Sequence, residues 1–207
     1  MYISNGDAQT YQGFFGHVDG NGTNKQGIIE NLVLENVNIS ASFSTDTGGI
    51  AGRVTYGEIR NCGVSGEIKA IGLTGSGGVT SIGGIAADIS GNISNCYNLA
   101  NITQNGGRNC YAGGIVSSFE SGNILNCYNK GNVSASNYVA GIVSLNKTKT
   151  SNIINCYNTG NITGNDYCTG GIVSDMYSIK LNNCYNFGTI KRNKLRRRSC
   201  FFDRIRR

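Results

Sequence analysis

Five copies of one phrase constrain this chain more than anything else in it. Asn-Cys stands at 61–62, 95–96, 126–127, 155–156 and 183–184, followed once by Gly-Val and four times by Tyr-Asn. Three residues before each Cys is Ile59, Ile93, Ile124, Ile153 or Leu181; six residues after it is Ile68, Ile102, Val133, Ile162 or Ile190. A Gly-Ile step opens each unit, at 49–50, 84–85, 114–115, 141–142 and 171–172. The Cys-to-Cys spacings are 34, 31, 29 and 28 residues. Self-similarity at this period specifies a stacked array, in which no unit can bury its apolar side chains alone.

Helical repeats of similar length exist, so composition must arbitrate. The chain has 31 Gly and no Pro, and its Ile and Val residues come in short runs cut by Asn and Gly. Such a chain disfavours helices and favours short strands joined by turns. Three strands per unit are expected: at Gly-Gly-Ile-Val, around Ile-x-Asn-Cys-Tyr, and at Gly-Asn-Ile-Thr. Coiled into rungs about 4.8 Å apart, equivalent strands form parallel sheets. The fold class is all-β, a parallel β-solenoid (β-helix).

The spacings separate fixed from variable sides. Ile/Leu-to-Cys is 3 and Cys-to-Ile/Val is 6 in every copy, whereas the gap to the next Gly-Ile isoleucine is 17, 13, 9 and 10. The step from that isoleucine to the Ile/Leu before Cys is 9, 8, 9, 11 and 9. Insertions such as Ala70–Ser81 and Gln104–Tyr111 therefore leave at one corner, and repeat proteins often bind through such a side. Residues 13–47 read as a divergent first rung. Gly13-Phe14-Phe15-Gly16 takes the Gly-Ile slot and Ile29-Glu30-Asn31-Leu32 the Ile-x-Asn-Cys slot; Leu32 to Ile39 is 7, a slip of one. About six rungs follow. The expected division is 1–12 as a truncated lead-in, 13–190 as the solenoid, and 191–207 as a basic tail, disordered or out of frame.

Cys62, Cys96, Cys127, Cys156 and Cys184 share one slot and should form an interior column. Cys packs readily as a small hydrophobe. Rung-to-rung disulfides are the alternative, but parallel in-register side chains give poor bridging geometry. There is no C-x-x-C, and His17 is the one His, so zinc-type spacing is missing and no metal or cofactor is expected. Cys110 and Cys168 should not pair with each other. Tyr97, Tyr128, Tyr157 and Tyr185 follow the column and point outward by strand alternation. They stack between rungs or offer a candidate ligand-binding surface for a host glycan or protein. Asn61, Asn95, Asn126, Asn155 and Asn183 suit corners, where Asn tolerates left-handed backbone angles and amides can hydrogen-bond along the axis. N-x-[ST] at Asn21, Asn38, Asn92, Asn101, Asn132, Asn146 and Asn161 reads as turn chemistry.

The net charge of +6 belongs to the tail. Residues 191–207 hold 9 of the 18 Lys+Arg and 1 of the 12 acids, leaving 9 basic and 11 acidic residues, or −2, in 1–190. The solenoid carries no basic stripe, so no specific nucleic-acid partner is expected. No run of 18 apolar residues predicts a membrane span. Met1-Tyr2-Ile3-Ser4 opens in a strand-like phrase without the basic and apolar segments of a signal peptide, which reads as a piece of a longer exported protein or a displaced start.

The phrases GFFGHVDGNG…IIENLVLENVNIS (13–40), GGIAADISGNISNCYNLANIT (83–103), GGIVSSFESGNILNCYNKGNVS (113–134) and GGIVSDMYSIKLNNCYNFGTI (170–190) resemble the GLUG-motif repeats of bacterial surface proteins. Such repeats occur in large exported proteins, including regions beside immunoglobulin-A-cleaving metallopeptidase domains and in adhesin-like proteins. The resemblance implies an extracellular or cell-surface module, part of a larger parent chain, acting in adhesion or as a stalk; it carries over no catalytic residue. The rival readings are a polysaccharide-active β-helix enzyme and a purely structural spacer. An enzyme needs converging carboxylates. The third residue after the Gly-Ile isoleucine is Arg53, Asp88, Ser118, Leu145 or Asp175. Asp88 and Asp175 share the slot three rungs apart, about 14 Å by rung spacing, too far for a glycosidase pair. A non-enzymatic module is the expectation.

Overall fold

The computed structural model describes residues 2–5, 11–20, 27–42, 46–72, 79–107, 109–146, 151–177 and 179–193. They form 26 strands, and no described residue is helical. Strands pair in parallel into sheets of eleven, nine and six strands, designated I, II and III. Sheet III takes one strand from each coil: Tyr11–Gln12, Asp46–Gly48, Val79–Gly83, Asn109–Gly113, Tyr138–Ala140 and Thr169–Gly170. The described residues form a parallel β-solenoid of six rungs, one for each strand of sheet III.

Two phrases expected to be strands are corners, and each for a physical reason. The Gly-Ile step bends the chain from sheet III into sheet II, whose strands resume at Ala51, Ala86, Val116, Val143 and Val173. Ile-x-Asn-Cys-Tyr is divided: the strand stops before Asn and resumes at Tyr in sheet I. The five Asn residues at this corner have φ of 53, 54, 53, 55 and 51°, a left-handed conformation that Asn adopts at low cost. The side given to insertions is narrower than the spacings imply. Ala70 and Ile71 close one strand of sheet I and Val79–Gly83 is a strand of sheet III; Gln104, Asn105 and Tyr111 are likewise in strands. The centre of the first insertion, 73–78, lies outside the described residues.

The fixed spacings become columns. Ile59, Ile93, Ile124, Ile153 and Leu181 are consecutive partners, as are Ile68, Ile102, Val133, Ile162 and Ile190. In rungs two to five these side chains are buried. Each such burial contributes about 2 kcal/mol, and the columns together form one continuous core. The divergent first rung is in phase: Phe15 pairs with Ala51 and Ile29 with Ile59. The one-residue slip after Leu32 is a bulge between Leu34 and Val37, with Asn36 at φ 51°.

Both ends carry more rung structure than the expected boundaries imply. Tyr2–Asn5 pairs with residues 38–41, and Tyr11–Gln12 pairs with Asp46 and Thr47. At the other end Ile190–Arg192 is a strand, and the Asn193 N–H donates to the Gly164 carbonyl at 2.9 Å. Residues 194–207, most of the basic tail, lie outside the described residues. Among the described residues the sixth rung has a neighbour on one side only, and Leu181, Tyr185 and Ile190 are exposed there. Among the described residues no helix is long and apolar enough to cross a membrane.

Candidate functional site

The Cys column lies inside, as expected from its spacing. Cys62, Cys96, Cys127 and Cys156 are fully buried and Cys184, on the end rung, is half-buried; all five are free thiols. Each sulfur sits 3.1–3.3 Å from the carbonyl two residues earlier, which the left-handed Asn turns toward it. It also lies 3.4–3.9 Å from a carbonyl of the preceding rung. The thiol thus satisfies carbonyls at the corner while filling apolar space. Burial pushes the Cys127 thiol well above its ordinary value, so it stays protonated. Cys110 is also free and Cys168 is disulfide-bonded, so these two are not joined to each other. Among the described residues no group of three or more His, Cys, Asp or Glu is placed to hold a metal ion.

Two asparagine ladders flank this column and run in opposite directions. At the exposed corner, Asn61, Asn95, Asn126, Asn155 and Asn183 each donate Nδ2–H to the Oδ1 of the preceding rung's Asn, at 2.8–3.2 Å. The second ladder was not read from the sequence, where Asn normally marks turns. Asn98, Asn129 and Asn158 are fully buried, and each donates forward to the Oδ1 of Asn129, Asn158 and Asn186, at 2.6–2.7 Å. The same amides reach the carbonyls of Ala100, Gly131 and Gly160 at 2.8–2.9 Å. A Cβ on Gly84, Gly114, Gly141 or Gly171 would collide with the facing Asn of this ladder. The second Gly of the Gly-Gly-Ile phrase and the second Asn of Asn-Cys-Tyr-Asn are therefore one packing unit, separated in sequence.

The tyrosines form an outward row in sheet I. Tyr97, Tyr128, Tyr157 and Tyr185 stack with centroids 5.4, 5.0 and 5.3 Å apart and planes within 10°. Tyr97 packs over Gly63, and the Lys130 ammonium lies 5.3 Å from the Tyr128 centroid. Within the row the facing ring surfaces are taken by neighbouring rings, leaving edges and hydroxyls outward; Tyr185, on the end rung, is exposed. A second row, along sheet III, joins Tyr111 and Tyr138 of its strands with Tyr167, just before the Thr169–Gly170 strand, at 4.9 and 5.4 Å. Its signal was a Tyr three residues before the Gly-Ile glycine in two successive repeats. Burial, reinforced by Tyr138 and Asp175, pushes the Tyr111 phenol up to about 12.

The outer side of sheet II breaks the uniformity. Equivalent positions are occupied by His17, Arg53, Asp88, Ser118, Leu145 and Asp175, no two alike in adjacent rungs. Asp88 and Asp175 share this row three rungs apart and are not brought together. Arg53 donates to the Tyr11 hydroxyl at 3.0 Å and stands over its ring at 5.6 Å. Its guanidinium is further stabilised by that bond and by the negative charge of Asp88 and Glu120. Two strands bulge beside this row. Tyr56 is the extra residue between Thr55 and Gly57, which pair with Ser90 and Gly91. Glu120 is the extra residue where Phe119 pairs with Ile89 and Ser121 with Ser90. The spacings of 9, 8 and 9 along these three rungs hold both bulges, since the third rung has one residue fewer.

Comparison with known proteins fits this geometry. The model of the GLUG motif matches residues 44–69. The matched stretch is essentially the second rung, from sheet III through both corners into sheet I, and the other rungs repeat its columns. The chain is also similar to a solved structure, that of a "putative immunoglobulin A1 protease" from Bacteroides ovatus, with 28% identity and a TM-score of 0.72. The likeness covers 94% of this chain and 59% of that one, so this chain spans less than two thirds of the solved chain. No curated protein sequence matches.

Proposed function

We propose that this chain is a non-catalytic, rigid repeat module of an exported bacterial surface protein, a stalk carried beside a peptidase unit. Support comes from the GLUG motif and from the likeness to a chain described as an immunoglobulin A1 protease, of which the solenoid would be one part. The observation that carries the reading is the continuity of the ladders. Cys, Asn and Tyr columns run through consecutive rungs with their donors, acceptors and ring faces directed at one another. Groups so engaged stiffen a rod, and a repeated exposed row makes a surface rather than a pocket. The Tyr97–Tyr185 row, read from sequence as either a stack or a binding surface, is best used as a stack, because its ring faces are taken.

The test is twofold. Incubation with immunoglobulin A1, mucin and pectin should leave all three uncut; cleavage that survives purification to homogeneity overturns the non-catalytic reading. Antibodies against this chain should label intact cells of the source bacterium; labelling only after lysis overturns the surface placement.

A further inference from the structure

The geometry points to a carbohydrate-binding site on the outer face of sheet II, centred on Tyr56, that takes a neutral, hydroxyl-rich sugar of an extended glycan. The first observation is conformational. Among the described non-glycine residues with positive φ, Tyr56, at 52°, is the one that is not Asn. A bulky side chain pays for a left-handed backbone, and such outliers persist where the surroundings impose them, often at ligand sites. The surroundings here are a β-bulge, a device that re-aims a side chain out of the ladder.

The second observation is exposure. Tyr56 is 56% exposed and belongs to neither tyrosine stack, so its ring is available to a ligand. An exposed aromatic ring is the surface on which the apolar face of a sugar can lie.

The third is the polar company. Three positions before Tyr56 is Arg53, flanked by His17 and Asp88 in the adjacent rungs, with Glu120 on a second bulge within electrostatic reach of the same guanidinium. Next to Tyr56, Thr55 bonds His17 Nε2 at 3.0 Å. The part-exposed Glu120 carboxylate can accept from sugar hydroxyls and the Arg53 guanidinium can donate to them, while the buried Asp88 only balances the guanidinium's charge, so the set can satisfy a polyol in both senses. The single guanidinium already faces two carboxylates, which disfavours an anionic sugar and selects a neutral one.

This site is separate from the stalk reading; it would make the stalk a grip as well as a spacer, and its failure would leave the cleavage test untouched. Cellohexaose, xylohexaose, mannohexaose and a β-1,4-galactohexaose are titrated against the whole chain by calorimetry, with hexagalacturonate as the anionic comparison. At least one neutral hexaose should bind, more tightly than hexagalacturonate. Tyr56→Gly should weaken that binding at least tenfold while its melting temperature stays equal or rises, since Gly accepts the left-handed angle without strain. Glu120→Gln should weaken it about fivefold, and Tyr128→Ser should leave it unchanged. Wild-type indifference to all four neutral hexaoses at millimolar concentration, preference for hexagalacturonate, or undiminished binding by Tyr56→Gly each overturns the proposal.

Discussion

The corner where sheet II turns into sheet I and the outer face of sheet II are built from the same coils, yet they behave oppositely. At the corner, Asn, Cys, Tyr and Asn recur rung after rung, and their groups bond one another along the axis. On the face, His17, Arg53, Asp88, Ser118, Leu145 and Asp175 succeed one another and two strands bulge. Uniform columns answer a mechanical need, because each rung must fit the one beneath it. Variation is tolerated where equivalent side chains need not stack on one another; Asp88 and Ser118 of this row are buried, and its exposed stretch is where residues can be placed for a ligand.

The largest effects should come from the uniform side. Gly114→Ala places a Cβ against the Gly141 carbonyl and Asn129. It should cost about 4 kcal/mol or prevent folding, read by thermal and urea melts. Asn129→Ala removes one link of the buried ladder, taking a donor from the Gly131 carbonyl and from Asn158 Oδ1 and an acceptor from the Asn98 amide. It should cost about 3 kcal/mol, a fall of roughly 6–12 °C in melting temperature for a domain of this size. A loss under about 1 kcal/mol would mean that the ladder is incidental and the contrast between the two regions is false.

A smaller effect should appear at high pH. Burial raises the Tyr111 phenol from 10.0 to about 12, so the folded state holds its proton more tightly than the unfolded one. Its contribution is complete below pH 10 and is lost as pH rises through about 12. Burial also raises the Tyr128 phenol, so absorbance titration should find more than one tyrosine ionising late, and Tyr111→Phe should remove the step near pH 12. On the variable side the sign reverses. Tyr56→Gly should stabilise the fold slightly, by about 0.5 kcal/mol, because relief of left-handed strain outweighs the flexibility of Gly. A clear destabilisation would make Tyr56 a structural residue and remove it from the variable face.

Much of this was legible in the sequence, and the boundary is instructive. The five-fold phrase announces the columns, and even the Leu32-to-Ile39 slip corresponds to a real bulge at Asn36. Asn61 and its equivalents could be assigned to corners because left-handed angles are a property of the residue type. Asn98, Asn129 and Asn158 could not be read, since only the packed interior makes a buried amide favourable. The strands of sheet III were hidden behind spacings of 17, 13, 9 and 10, which register loop length as well as strand position. Tyr56 was hidden in a difference of one residue, which becomes a bulge only when neighbouring rungs are aligned.

The most direct test of the account is site-resolved thiol labelling of the native chain, followed by mass spectrometry. Cys62, Cys96, Cys127 and Cys156 are fully buried, whereas Cys184 is half-buried on the end rung. The account predicts that Cys184 reacts first and the other four only at the rate of global unfolding. Equal, rapid labelling of all five, or a Cys127–Cys156 disulfide in unreduced peptides, would contradict an interior, in-register column and with it the solenoid as described.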